Sequence, residues 1–344
     1  MTDGVVLEDV SPYGTMQAVV EADANAVYLY LVGGSAPESV RSVWVRNLAP
    51  APKSLSRAAM ERGEPPLNPA AFCSAAGPGA RPKSDELSVT WFAEGNGVYL
   101  SERGRVVAIV PPWSGMDGHT GYAVEASQPG PLAWPLTEDN ELLARFERDR
   151  AFWAAWSDGN PWPEMQSSAI SALEAVFGQH SKYYGIDGGQ WPPRGLLRFE
   201  GPTGVVLATV GMSIAPQPNV ELAVEDPSGL RRVELATVLP AQTSEAQVTA
   251  VARYLSGQAA YPWARETWLG PGHTIPCDAW PDAGFSFALL TDQVKRVPLP
   301  NLPSSFGDPV SLLWFVPISE AERALAERDG GDAVLARIPA ERRP

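Results

Sequence analysis

The sequence predicts an α+β fold in two domains: a β-rich N-terminal domain over residues 1–136 and an α+β C-terminal domain over residues 164–344. The second is expected to hold a central mixed or antiparallel sheet flanked by helices. Three observations lead there. Up to Pro135 the chain carries short β-rich runs separated by turn residues. After Pro135 the hydrophobic period changes from that of strands to that of helices. The second half then sets strands first and ends on two long apolar runs followed by a helix-start signature.

In order, Gln17–Glu21, Ala26–Val32 and Val40–Arg46 read as strands joined by Asp/Asn and Gly-Gly-Ser turns. In the third, Val43 and Val45 point one way while Arg41, Ser42, Trp44 and Arg46 mostly point the other, the alternation of a half-buried strand. Lys53–Arg62 suits a short helix, and Glu64–Ser84 is a Pro/Ala/Gly-rich loop. Leu87–Phe92, Gly97–Leu100 and Arg105–Val110 resume the strands through Gly-Asn-Gly and Glu-Arg-Gly turns. From Glu138 the spacing of Leu142, Phe146, Trp153 and Trp156 keeps one helix face apolar, with Thr137 as its cap, and Ser157–Pro163 stops it. Residues 137–163 are therefore expected to be helix and linker.

A second helix over Ser167–Phe177 presents Ile170, Leu173 and Phe177 and ends at Gly178. Leu196–Phe199, Val205–Ile214, Val220–Glu225 and Arg232–Val238 read as successive antiparallel strands, the last pair joined by the turn Asp226-Pro-Ser-Gly229. Thr243–Ser256 is an amphipathic helix with Val248, Val251, Ala252 and Leu255 inward. Phe285–Leu290 and Val310–Val316 are apolar enough for central strands covered on both faces. Ser319-Glu-Ala-Glu322 is a capping box, in which the serine bonds the third amide of the helix and the glutamate reaches back.

Composition narrows the function classes. Across 344 residues, 26 Lys+Arg stand against 40 Asp+Glu, a formal charge of -14. Such a chain repels phosphate backbones and anionic lipid and attracts a basic partner. The N-terminus lacks the basic start and apolar core of a signal peptide, and no apolar run spans a bilayer, so a cytoplasmic protein is expected. Cys73 and Cys277 form no Cys-x-x-Cys pair, which speaks against a disulfide framework or structural zinc. Gly201-Pro-Thr-Gly204 has neither the Lys-Ser/Thr ending of a P-loop nor a Gly-x-Gly-x-x-Gly pattern, so no cofactor is expected. The 34 prolines repeatedly adjoin the 12 tryptophans, as at Pro112-Trp113 and Trp191-Pro192-Pro193. Stiff segments of this kind either pin loops onto the core or present a contact surface, where rigid aromatics and arginine dominate.

His273 is one of three histidines and sits in the turn Trp268-Leu-Gly-Pro-Gly-His-Thr-Ile-Pro276. No Gly-x-Ser-x-Gly nucleophile accompanies it, and neither His119 nor His180 has metal or triad spacing. Asp278 and Asp282 bracket Trp280, and Asp187 precedes Trp191. Paired carboxylates divide acid and base roles when burial separates their pKa values, but Asp and Gly in such loops are more often turn residues. The mixed charges of Glu320–Arg328 read as a solvated helix face.

Taken together, the "LGPGHTIP" turn, the corner Leu313-Trp-Phe-Val-Pro-Ile318 and the acidic helix Ser319–Glu327 resemble the suppressor-of-fused domain family over roughly Ser167 to Ile338. The resemblance implies an α+β binding domain. Animal members sequester zinc-finger transcription factors, and bacterial members are associated with contact-dependent toxin and immunity systems. The stretches "SPYGTMQAVVE" and "WVRNLAP" resemble a segment that accompanies this domain in bacterial proteins. The resulting expectation is a non-enzymatic, immunity-like or regulatory protein of a bacterial cytoplasm that occludes a basic toxin or effector. Its candidate contacts are Trp113, Trp191, Arg194 and His273, with Asp278 and Asp282 supplying charge. The alternative is a hydrolase using His273 and Asp278, or a small-ligand binding protein, with a site between the domains.

Overall fold

Strand alternation builds the first sheet. The computed structural model describes residues 4–33, 39–75, 77–201, 204–295 and 297–344. In it, β1 (Val5–Val10), β2 (Met16–Ala22), β3 (Ala26–Gly33) and β4 (Val40–Asn47) pair antiparallel in chain order. Met16, Ala18, Val20 and Ala22 are buried along β2, with the residues between them less so. β1 escapes the sequence reading because Glu8, Asp9 and Val10 are exposed, which leaves it no apolar alternation. β4 corrects the half-buried expectation, since Val43, Trp44, Val45, Arg46 and Asn47 are all buried. Its polar groups go inward with partners: the Trp44 indole N–H donates to Asn47 Oδ1 (2.8 Å), and Arg46 pairs with Glu102 (2.5 Å) and Glu125 (3.1 Å). Gly34 and Ser35 of the expected Gly-Gly-Ser turn lie outside the described residues.

After α1 (Arg57–Glu61), a second sheet takes β5 (Leu87–Trp91), β6 (Val98–Glu102), β7 (Arg105–Val110), β8 (Tyr122–Ala123) and β9 (Trp134–Pro135) in that order. α2 (Glu141–Ser157) packs on β5 and buries Leu142, Phe146, Asp149 and Phe152. Asn140 caps it, accepting from the Leu142 amide at 3.0 Å, in place of the expected Thr137. The chain divides into two compact units, Met1–Asp158 and Gly159–Pro344, so α2 belongs with the first.

The second unit opens with α3 (Trp162–Phe177), whose first turn carries Pro163 and whose cap is Pro161. Proline is suited to a first turn because its missing N–H has no intrahelical partner there. Residues expected to end one helix thus begin the next. The seven-stranded sheet comprises β10 (Lys182–Gly185), β11 (Gly195–Gly201), β12 (Gly204–Val210), β13 (Arg232–Leu239), β14 (Thr274–Pro276), β15 (Phe287–Thr291) and β16 (Val310–Ile318), in the order β10-β11-β12-β13-β16-β15-β14. Its pairs are antiparallel except β13 with β16, which makes it a mixed sheet. Pro202 and Thr203, between β11 and β12 in the chain, lie outside the described residues. The expected strand Val220–Glu225 is instead α4 (Val220–Ala223), entered through Asn219 at φ 60°. β13 already has β12 and β16 on its two edges, so no ladder is open to that segment.

α5 (Glu245–Gln258) buries Val248, Val251, Ala252 and Leu255 and packs on β12 and β13, with α6 (Tyr261–Arg265) after it. Leu173 of α3 packs into the core with Leu197, Phe199, Ala208 and Trp314. α7 (Glu320–Asp329) and α8 (Gly331–Arg337) place Leu325, Ala326, Val334 and Leu335 against Leu289 and Val316. The α+β architecture expected from the sequence is the one observed. The capping box is in place, with Glu322 Oε2 accepting from the Ser319 amide (2.8 Å) and Ser319 Oγ accepting from the Glu322 amide (3.3 Å). Ser319→Ala is expected to cost about 1 kcal/mol in urea unfolding. A cost below roughly 0.3 kcal/mol would mean that the cap contributes nothing here.

Candidate functional site

The turn around His273 is an extension of a ladder. Gly272 takes φ 86°, its amide donates to the Leu290 carbonyl (2.8 Å), and the Leu290 amide donates to the His273 carbonyl (2.9 Å), prolonging β14 against β15. The imidazole stands edge-on to Trp268 at 4.3 Å between centroids. Burial pushes its pKa down, and a hydrogen bond to the Trp268 backbone opposes that shift. A ring held in this way orders the turn. His273→Ala is expected to lower stability by about 1–3 kcal/mol, read by thermal unfolding; unchanged stability together with lost partner binding would place His273 on a contact surface instead.

The other expected contacts are dispersed. Arg194 donates to the Ala259 carbonyl at the end of α5 (2.8 Å), and its amide donates to Asp187 Oδ2 (2.9 Å). Asp187 Oδ1 also accepts from the Gly189 amide (2.6 Å), which makes it a turn residue. Trp191 is half-buried and joined to Pro192 by a cis peptide bond. Asp278 and Asp282 are exposed, and Asp282 Oδ1 accepts from the Gly284 amide (2.8 Å). Their segment lies along α5, where Tyr254 donates to the Pro276 carbonyl (2.8 Å), while the buried Trp280 indole donates to the Phe287 carbonyl (2.8 Å). α5 therefore gathers Arg194 at its end and the Asp278–Asp282 segment on its flank. Trp113 lies in the first unit, 6.3 Å from the His119 ring.

A feature absent from the sequence reading stands in the second unit. Glu234, in the middle of β13, is 1% exposed. Oε2 accepts from Thr209 Oγ1 (2.6 Å), and Oε1 accepts from the Gly211 amide (2.8 Å), the Ser213 amide (3.0 Å) and Ser213 Oγ (2.7 Å). Gly211 permits this because its φ is 98° and a Cβ would meet the Pro193 carbonyl at 2.3 Å and the Trp162 ring at 2.9 Å. Desolvation pushes the Glu234 carboxyl pKa up, against the hydroxyl and amide bonds that lower it. Beside it is a cavity of about 190 Å³, walled by Trp162 and Met165 of α3, by Val210 and by Leu302 and Ser305. The guanidinium of Arg232 is turned to Asp308 (2.9 Å) and to the Ser213 and Ile214 carbonyls. The available signal was a lone glutamate inside the apolar run Val233–Val238. No group of three or more His, Cys, Asp or Glu among the described residues is arranged to hold a metal ion, and no helix among them is long and apolar enough to cross a membrane.

The fold and this site define an α+β domain with a mixed sheet, helices on its faces and a cavity beside a buried carboxyl group. Residues 190–343, somewhat under half of the chain, match the family model of the suppressor of fused protein (SUFU), so this stretch is similar to a suppressor-of-fused domain. That family is a non-enzymatic, protein-binding regulatory family. Among solved structures, the chain is similar to a Sufu–Fu complex at 17% identity, over 49% of this chain and 82% of that one, with a TM-score of 0.36. It is also similar to Drosophila Suppressor of Fused at 15% identity, over 50% of this chain and 46% of that one, with a TM-score of 0.35. The chain thus spans less than half the length of the Drosophila protein. No curated protein matches it.

Proposed function

We propose that this chain is a non-enzymatic binding protein that regulates a basic protein partner by occluding it. The observation that carries the reading is the suppressor-of-fused match over residues 190–343. The formal charge of -14 supports a basic partner, drawn in electrostatically before short-range contacts hold it. Arg194, Trp191, Asp278 and Asp282, on and near α5, are its proposed contacts in the second unit, and Trp113 in the first. The resemblance of the first half to segments of bacterial proteins supports an immunity-like role in a bacterial cytoplasm, with a toxin or effector as partner.

The test is affinity capture from the source cells at low ionic strength, with elution along a salt gradient. A basic protein should be retained and released as salt screens the attraction. Retention of an acidic partner only, or turnover in an unbiased substrate screen, would overturn the reading.

A further inference from the structure

Both charged side chains that line the cavity beside Glu234 are carboxylates. Glu164, exposed in the first turn of α3, is one, and the buried Glu234 is the other. Trp162 and Met165 add apolar wall. Ser305, which also lines it, is 3% exposed, and its Oγ has no hydrogen-bond partner among the described residues. A buried hydroxyl left unpaired is costly, so a donor entering the cavity would relieve it. The volume of about 190 Å³ exceeds the roughly 150 Å³ of a cavity that takes up benzene, which leaves room for one long side chain.

We propose that this cavity receives a lysine or arginine side chain of the basic partner protein, its stem against Trp162 and Met165 and its cationic head answered by Glu164 and the Ser305 hydroxyl. Each part has a physical reason. Long basic side chains lay an apolar stem along apolar surface while the head keeps polar company. An indole face attracts a cation. The N-terminus of α3 disfavours a cation, and Glu164 in that same turn offsets it. Arg232 offers no competition, because its guanidinium is bonded to Asp308 and backbone carbonyls. The inference rests on the reading that the partner is a basic protein, and it names the group by which that partner is held.

The test titrates the full chain with the peptide acetyl-Gly-Gly-Lys-Gly-Gly-amide, its arginine, norleucine and glutamate counterparts, and butylamine, followed by calorimetry and by the indole signals. The lysine or arginine peptide should bind saturably and at least about tenfold more tightly than the norleucine peptide, a difference worth about 1.4 kcal/mol. Glu164→Gln should weaken it about tenfold and Ser305→Ala about threefold, whereas Glu61→Gln, which removes an exposed charge from α1, should change it less than twofold. Circular dichroism of each variant confirms that it folds. Equal binding of the norleucine peptide, or equal losses from Glu164→Gln and Glu61→Gln, would sink the proposal, the second because the attraction would then be diffuse. Butylamine binding as tightly as the lysine peptide would reassign the cavity to a small amine. If the chain captures a basic partner in the salt-gradient experiment yet shows no preference for lysine or arginine, this inference fails and the reading of the function stands.

Discussion

Glu234→Ala lowers the stability of the second unit by several kcal/mol, on the order of 3–5, the cost of leaving two or more buried donors without an acceptor. The reason is the set of donors left behind. The amides of Gly211 and Ser213 and the hydroxyls of Thr209 and Ser213 all point at one carboxyl group that is 1% exposed. Each buried donor without an acceptor costs about 1–3 kcal/mol, and a hydroxyl that rotates to another acceptor costs less than an amide fixed in the backbone. Glu234→Gln should be far milder, because its amide oxygen still serves the two N–H groups and the Ser213 hydroxyl while Thr209 Oγ1 accepts from its NH2. Urea unfolding of both variants decides the matter. A loss below about 1 kcal/mol for Glu234→Ala would mean that water from the neighbouring cavity replaces the carboxyl group.

The second large effect is a pH dependence in the first unit. Asp149 on α2 is 5% exposed, and its carboxyl pKa is pushed up to about 7, first by desolvation and then by the charge of Glu94, while Arg145 opposes both. It accepts from the Ala93 amide (3.2 Å) and from Tyr99 Oη (3.0 Å). Arg145 stands 2.7 Å from Glu94 and 3.6 Å from Asp149. A carboxyl group whose folded pKa lies above its unfolded value favours folding most fully below the unfolded value, near 4. That contribution is lost as pH rises towards 7, because the unfolded state releases its proton first. Stability of the first unit should therefore fall by an amount on the order of a few kcal/mol between about pH 4 and pH 7, relative to an Asp149→Asn variant, which keeps a neutral side chain throughout. Chemical unfolding at half-unit pH steps, followed by the fluorescence of Trp91 and Trp153 beside this cluster, measures it. Parallel pH profiles for parent and variant would show that folding does not raise the Asp149 pKa.

Much of the second unit was legible because its residues answer to local rules. The Ser319–Glu322 capping box needs only four consecutive residues, and it formed as the sequence dictates. The inward face of α5 follows from helical spacing alone, and Val248, Val251, Ala252 and Leu255 are all buried. Val220–Glu225 failed because its β-rich composition says nothing about whether a sheet edge is free to receive it. β12 and β16 already flank β13, and the segment coils into a helical turn. β4 failed on a related point. Trp44 and Arg46 look solvent-facing by alternation, but Asn47, Glu102 and Glu125, two of them far off in sequence, supply the partners that let them be buried.

The sequence by itself determined the division into a β-rich half and an α+β half, the capping box at Ser319, and the suppressor-of-fused signature in the Gly-Pro-Gly-His turn and the Trp314–Ile318 corner. Each is a property of neighbours along the chain, where spacing and turn chemistry act directly. Only the tertiary structure decided that His273 packs on Trp268, that Arg194 reaches the end of α5, and that Glu234 sits beneath a cavity among four donors. Those outcomes depend on desolvation and on partners up to 65 residues away, as Arg194 is from Ala259. Burial of a polar group is favourable only where the fold brings its partners, and that condition is set in space rather than along the chain.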